Sequence, residues 1–131
     1  MKNRRNGICG LIALLALTIP GLALANKGSV TIDAPDTAQK GQEVTIKLNV
    51  SHCCVSGMHH VDWVYLQVNG AEMKRWTYTS NDLPPSNNFT LEYKYKVMGD
   101  TELKAEANCN LHGSAGPAVK TIKVNSESTG Y

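Results

Sequence analysis

The sequence predicts an all-β domain, a seven-stranded antiparallel sandwich of immunoglobulin-like type. Short segments in which apolar and polar residues alternate are separated by turn-forming residues, and no segment shows a convincing helical period. Residues 43–50 are the clearest case, because Val44, Ile46, Leu48 and Val50 share one face of a two-residue repeat. Seven short strands in about a hundred residues are typical of a two-sheet sandwich.

The strands can be assigned in order from this alternation. They are residues 29–33, 43–50, 60–68, 72–79, 89–97, 101–108 and 118–124. Asn69-Gly70 is a strong hairpin signal between the third and fourth strands. In the sixth strand an apolar stripe of Leu103, Ala105 and Ala107 continues to Cys109, so we expect its sulfur to be semi-buried at the strand's end.

Residues 1–25 have the pattern of a cleaved secretory signal peptide. Three basic residues precede an apolar run that ends in small residues before Asn26. We therefore predict a mature domain at residues 26–131, located in the periplasm or secreted, with no stable membrane span. The alternative is an uncleaved anchor of about 17 residues, at the short end for crossing a bilayer.

The charge of the chain belongs largely to that segment. The formal charge is +2, and removal of Lys2, Arg4 and Arg5 takes it to −1. A nucleic-acid partner therefore loses its main electrostatic support.

The mature chain would contain an odd number of cysteines. Cys9 leaves with the signal, and Cys53, Cys54 and Cys109 remain. Disulfides between adjacent cysteines are rare, so we do not expect Cys53 and Cys54 to pair with each other. At least one cysteine must then be unpaired within the monomer, as a free thiol, a metal ligand or an intermolecular bridge. Cys109 could also form a disulfide with Cys53 or Cys54.

The four histidines fall in two predicted loops. His52, His59 and His60 lie between the second and third strands, and His112 follows the sixth. In immunoglobulin-like sandwiches these two loops can lie at the same end. Cys109-x-x-His112 is a spacing that lets one turn present a thiolate and an imidazole to a single ion. Alternatively, Cys109 is a small core residue and His59-His60 a solvated pair.

Two motifs carry a family resemblance. "MHHVDWVYLQVNG" followed by "CNLHG" resembles the iron domain of the superoxide reductases, the desulfoferrodoxin and neelaredoxin family, over roughly residues 43–124. The resemblance implies a mononuclear non-haem iron with four equatorial histidine nitrogens and one axial cysteine thiolate. Superoxide would be reduced to peroxide there, with electrons from an unidentified donor protein. By this resemblance Cys109, His112, His59 and His52 are metal ligands.

The chain departs from the family pattern in two places. The family's remaining histidine lies in an N-terminal Glu-Lys-His segment, whereas residues 26–42 contain none, which leaves His60 to complete the set. His59 and His60 can share an ion only if the backbone bulges or turns, which Gly57 permits. Lys27 or Lys40 could replace the family lysine. If Cys53 or Cys54 also ligates, copper or zinc would suit the site as well as iron.

Three functions follow from these motifs. The first is an exported superoxide-reductase-like oxidoreductase, with catalytic residues beyond the metal ligands unknown. The second is a non-enzymatic metal-binding or electron-transfer module on the same fold. The third is a disulfide-bonded interaction domain. A homo-oligomer is compatible with all three.

Overall fold

The protein is an eight-stranded β-sandwich. The computed structural model describes residues 26–125, so the expected signal peptide, with Cys9, lies outside the described residues. The strands are β1 Ser29–Asp33, β2 Thr37–Gln39, β3 Glu43–Ser51, β4 Val61–Val68, β5 Ala71–Thr77, β6 Asn88–Lys96, β7 Thr101–Cys109 and β8 Ala118–Asn125. Within this range no helix is long and apolar enough to cross a membrane.

The strands form two sheets. One has three strands in the order β1-β3-β6, and the other has five in the order β2-β8-β7-β4-β5. Every neighbouring pair is antiparallel except β2 and β8, which run parallel. The predicted all-β, immunoglobulin-like sandwich is thus confirmed, with one strand more than expected.

The additional strand is β2, which lies between the first two predicted strands, where the alternation predicts none. Its three residues, Thr37 to Gln39, are too few for an alternating pattern, and only Ala38 is buried. Its strand conformation comes from pairing with residues 123–125 of β8, which are distant in sequence. Tertiary pairing of this kind leaves no local signal in the sequence.

The core lies between the two sheets and follows the predicted alternation. Ile46 and Leu48 of β3, Val64 and Leu66 of β4, and Leu103 of β7 are fully buried. Each such side chain contributes about 1.5–3 kcal/mol of transfer free energy to folding. The two sheets are therefore held together along their whole length, which fixes the loops at their ends.

The hairpin between β4 and β5 has the predicted turn. Asn69 and Gly70 both have positive φ angles, 49° and 83°, as a two-residue type I′ turn requires. The turn lies at the end of the sandwich opposite the histidines, because β4 runs from Val61 beside Cys109 to Val68 beside Leu103.

The two histidine-bearing loops lie at one end of the sandwich. One loop connects the end of β3 at Ser51 to the start of β4 at Val61, and the other follows Cys109 at the end of β7. Val61 and Cys109 are paired directly in the five-stranded sheet. The pairing of β4 with β7 therefore brings the two loops together.

Candidate metal site

The cysteine and histidine of "CNLHG" are held by a tight turn. The backbone N–H of Cys109 donates to the Gly113 carbonyl over 2.8 Å, and the N–H of Gly113 donates to the Cys109 carbonyl over 2.9 Å. Gly113 closes the turn at a φ of 79°, a conformation that favours glycine. As a result, Cys109 Sγ lies 3.8 Å from His112 Nδ1.

The histidine loop contains a second turn, at residues 56–59. The N–H of Ser56 donates to the His59 carbonyl over 2.8 Å, and the N–H of His59 donates back to the Ser56 carbonyl over 3.3 Å. Gly57 lies inside this turn, as its position in the sequence suggested. Because the chain reverses here, His59 is directed toward the neighbouring loop.

The two turns bring three donor side chains together. His59 Nε2 lies 3.2 Å from His112 Nδ1. One donor atom from each of His59, Cys109 and His112 lies within 4.8 Å of the others. The cluster runs from a buried sulfur, with Cys109 only 1% exposed, to the exposed imidazole of His112. It is therefore open to solvent on one side.

His52 belongs to a second, adjoining group. His52, Cys53 and His59 each have a donor atom within 4.8 Å of the others, so His59 is common to both groups. The His52 ring is buried, and its Nδ1 lies 2.8 Å from the Cys54 carbonyl. A neutral ring that donates from Nδ1 leaves a lone pair on Nε2, as in many metal-binding histidines.

The Nε2 atom of His52 has a contact that would not be favourable in that tautomer. It lies 3.2 Å from the Asn26 carbonyl oxygen, another lone-pair acceptor. A neutral imidazole can donate to only one of the two carbonyls. Two carbonyl oxygens therefore face the His52 ring, and a neutral ring can donate a hydrogen bond to only one of them.

His60 is placed apart from the other histidines. Its ring is buried, and Nδ1 lies 2.8 Å from the Ser56 carbonyl. Among residues 26–125 it belongs to neither group of candidate ligands. The structure thus brings His52, His59, Cys109 and His112 into one connected cluster and leaves His60 as a buried, hydrogen-bonded neighbour.

Cys53 and Cys54 are paired with each other as a disulfide. The expectation that they would not pair was wrong, and so was the alternative of a bridge from either of them to Cys109. Cys109 is a free, buried cysteine at the end of β7, so the sheet holds its sulfur on the core side of the strand. The doublet lies in the loop after β3, where no strand pairing restrains the backbone.

Asn110 links the two loops. Its Oδ1 accepts from the His60 N–H over 3.0 Å, and its Nδ2 donates to the Met58 carbonyl over 3.1 Å. The backbone N–H of Asn110 also donates to the His60 carbonyl over 3.0 Å. Three hydrogen bonds thus tie the turn that carries Cys109 and His112 to the segment that carries His59.

The segment before β1 also lies at the site. The Gly28 N–H donates to the Gly113 carbonyl over 3.1 Å, and the Gly28 carbonyl accepts from Ala115. A Cβ atom at Gly28 would lie 2.8 Å from the Ala107 carbonyl oxygen, so no larger residue fits there without a shift. Together with the contact of Asn26 to His52, this places the backbone of Lys27 beside the histidines.

The electrostatic environment favours the neutral form of the shared histidine. Burial lowers the pKa of His59, and repulsion from His52 and His112 lowers it further. A neutral imidazole is the form that binds a metal ion.

Three residues of the site were not identified as functional from the sequence. From the sequence, Asn26 is only the residue that follows the signal pattern, and neither Gly28 nor Asn110 is a candidate. Asn110 could have been found, because an amide in the turn between two candidate ligands is suited to hydrogen-bond a neighbouring loop. No local signal identifies Asn26 or Gly28, since both depend on contacts distant in sequence.

The comparison with known families agrees with this geometry. The family model described as Desulfoferrodoxin matches residues 23–114, which include every member of the cluster. The chain belongs to the desulfoferrodoxin family. No curated protein sequence matches it at a significant level.

Solved structures show the same fold at low sequence identity. The superoxide reductase (neelaredoxin) from Ignicoccus hospitalis is 22% identical, with a TM-score of 0.65 over 82% of this chain and 88% of that chain. A CARDB domain from Pyrococcus furiosus in complex with di-metal ions is 17% identical, with a TM-score of 0.58 over 76% and 94%. The sulfur carrier protein SoxY from Chlorobium limicola f thiosulfatophilum is 16% identical, with a TM-score of 0.53 over 74% and 79%. Their different names show that this fold alone does not determine function.

The donor set suits the kind of metal that the family resemblance implies. One thiolate and up to three imidazoles are available in the cluster, and these ligands bind divalent iron, copper and zinc. The set is one imidazole smaller than the resemblance implied.

Proposed function

We propose that this protein is an exported, superoxide-reductase-like iron protein. His59, Cys109 and His112 would hold one non-haem iron, with His52 as a further nitrogen donor. The observation that carries the proposal is the convergence of His59, Cys109 and His112 donor atoms within 4.8 Å of one another in a chain of the desulfoferrodoxin family. When bound, the iron supplies the single electron that converts superoxide to peroxide.

The residues of the chain would divide the remaining work. The buried Cys109 thiolate donates electron density from the core side, where solvent is excluded, and thereby adjusts the reduction potential. The imidazoles of His59 and His112 face the open side. Solvent access there allows a small anion to enter and the protonated product to leave. A donor protein must then return the electron, since each turnover consumes one.

Lys27 is the candidate for attracting the anion. Its neighbours Asn26 and Gly28 contact His52 and Gly113, respectively, so its backbone passes the cluster. Lys40 follows β2 at the other end of the sandwich, where Gly41 bonds to Val97. The tripeptide Asn26-Lys27-Gly28 thus retains a lysine near the site, and a positive charge there would raise the encounter rate with a small anion.

Export is also part of the proposal. The signal-like residues 1–25 support it, and so does the disulfide between Cys53 and Cys54, because disulfides persist in oxidising compartments. We therefore propose a periplasmic or secreted location for the domain.

Metal analysis and rapid kinetics test this function. The protein, purified without added metal and reconstituted with ferrous iron, should bind about one equivalent and show a thiolate-to-iron absorption band once oxidised. Superoxide generated by pulse radiolysis should oxidise the ferrous form within milliseconds and yield peroxide. If superoxide decays no faster with the iron-loaded protein than in buffer alone, the proposed superoxide reductase activity is contradicted.

A metal-binding or electron-transfer role without catalysis is the second candidate, because the cluster differs from the ligand set that the family resemblance implies by one imidazole. Azide or cyanide binding distinguishes the two roles. If a site is open to substrate, these anions shift the iron absorption spectrum. If the ligand set is closed, the spectrum does not change, although the iron can still be reduced and oxidised.

A further inference from the structure

The disulfide between Cys53 and Cys54 lies directly beside candidate metal ligands. His52 precedes the pair in sequence, and its ring Nδ1 lies 2.8 Å from the Cys54 carbonyl. Cys53 Sγ, His52 and His59 form a compact group with donor atoms within 4.8 Å of one another. In the disulfide, however, the sulfur of Cys53 is bonded to the sulfur of Cys54 and is not a thiolate.

Reduction would change the chemistry of this group. A dithiol reductant attacks the disulfide, its two thiols become a new disulfide, and Cys53 and Cys54 each become a thiol. The Cys53 thiol can then lose its proton to a metal ion and bind it as a thiolate. Both cysteines are only partly buried, so a small dithiol can reach them.

The group has the composition of a site for a thiophilic metal. One thiolate and two imidazoles, from His52 and His59, match the nitrogen and sulfur ligands that zinc and monovalent copper prefer. The His52 ring is already oriented by its contact with Cys54, which reduces the reorganisation that binding requires. Within residues 26–125 Cys53 is the only cysteine that shares a candidate group with His52.

We propose that His52, Cys53 and His59 form a second metal position that is available only when the Cys53–Cys54 disulfide is reduced. The position would take a thiophilic ion such as zinc. It goes beyond the proposed iron function, although it shares histidines with it. A ring that binds metals through both nitrogens must lose its N–H proton, so at neutral pH the two positions compete for His59.

Serine substitutions at positions 53 and 54 test which of the two cysteines binds the metal ion. Cys53→Ser and Cys54→Ser both remove the disulfide, but only Cys54→Ser leaves the Cys53 thiol. We would introduce each into a background carrying Cys109→Ser and His112→Ala, which removes the donors that belong only to the first group. Cobalt(II) is the probe, because a thiolate ligand gives it an intense charge-transfer band in the near ultraviolet.

The expected results differ clearly among the variants. The background protein should show the cobalt–thiolate band only after treatment with dithiothreitol and desalting under argon. Cys54→Ser in this background should show the band without reductant, and Cys53→Ser should show none in either state. A band that persists in Cys53→Ser, or one that fails to appear in a folded Cys54→Ser protein, would overturn the proposal.

A measurement on the unsubstituted chain covers the case in which the multiple variants do not fold. After reduction, zinc should protect Cys53 from alkylation by iodoacetamide at least tenfold more than Cys54, as measured by peptide mass spectrometry. Equal protection of both cysteines, or none, would contradict the inference. Failure of the iron function would instead appear as loss of iron binding at Cys109, which this alkylation ratio does not depend on.

Discussion

Strand β4 borders two polar clusters that differ in how their polar groups are satisfied. On the outer face of the five-stranded sheet, the Tyr65 hydroxyl donates to Glu106 over 2.7 Å, and the Arg75 guanidinium lies 5.4 Å from the Tyr65 ring centre. Arg75 also donates to Glu72 over 3.0 Å. At the loop end, before β4 begins, His52, His59, Cys109 and His112 face one another, and neither group of candidate ligands includes a carboxylate.

The difference indicates which cluster requires an external ligand. Around Tyr65 both the phenol and the Arg75 guanidinium have a carboxylate acceptor within the cluster, so packing and hydrogen bonds account for these side chains. In the loop cluster, the single N–H of a neutral His52 ring faces two carbonyl oxygens, those of Cys54 and Asn26, and the nitrogen atoms of His59 and His112 face each other at 3.2 Å. Imidazole nitrogens and a thiol that face one another in this way suit a bound metal ion.

Removing the thiolate should have the largest effect. We expect Cys109→Ser to abolish the thiolate-to-iron absorption band and to lower iron affinity strongly, because a neutral hydroxyl replaces an anionic sulfur. Absorption spectroscopy and metal analysis of the reconstituted protein measure this. The disulfide variant Cys53→Ser, which removes the disulfide without leaving a thiol at position 53, is the control and should retain the Cys109 band. An unchanged band in folded Cys109→Ser would show that the sulfur is not a ligand.

Breaking the link between the loops should have an intermediate effect. Asn110→Ala removes the side-chain hydrogen bonds to His60 and Met58, so His59 would no longer be held against His112. We expect iron affinity to fall about 10- to 100-fold, as for other residues that orient metal ligands. Competition with a chelator measures the affinity, and the thermal midpoint reports any general destabilisation.

The matched variant for this position is Asn110→Asp. It keeps the acceptor for the His60 N–H, loses the donor to the Met58 carbonyl, and adds a negative charge that attracts a cation. It should therefore lie between the native protein and Asn110→Ala in iron affinity. If both variants bind iron as tightly as the native protein, the two side-chain hydrogen bonds of Asn110 do not position the site.

Removing a positive charge should have a smaller effect, on rate alone. Lys27→Ala should slow the reaction with superoxide about two- to tenfold, and the remaining rate should depend less on ionic strength. Stopped-flow or pulse-radiolysis kinetics at several salt concentrations test this. Lys40→Ala, at the other end of the sandwich, should leave both the rate and its salt dependence unchanged. Equal effects of the two substitutions would contradict a local role for Lys27.

Some parts of the fold and of the loop cluster could be predicted from the sequence and others could not, for physical reasons. Alternation predicted β3 and the stripe that ends at Cys109, because burial on one face of a strand imposes a local period. The short turn from Cys109 to Gly113 could also be predicted, because its residues are close together in the sequence. Strand β2 was not predicted because it depends on pairing with the distant β8, and the Cys53–Cys54 disulfide was not predicted because bonds between adjacent cysteines are rare. The contact of Asn26 with His52 was missed because it too joins residues that are distant in sequence.

The smallest effect concerns the cluster that needs no ligand. Burial raises the pKa of Tyr65 to about 12 from 10.0, and the hydrogen bond to Glu106 adds to this shift. The folded protein therefore keeps the phenol protonated where the unfolded chain ionises. The stability that this provides is complete below about pH 10 and is lost as the pH rises through about 12.

Urea unfolding at pH 8, 10 and 11 should show a steeper loss of the free energy of unfolding for the native protein than for Tyr65→Phe. Glu106→Gln keeps an acceptor but removes the charge, so its loss should be intermediate. Identical pH dependence in all three proteins would show that Tyr65 does not carry this linkage.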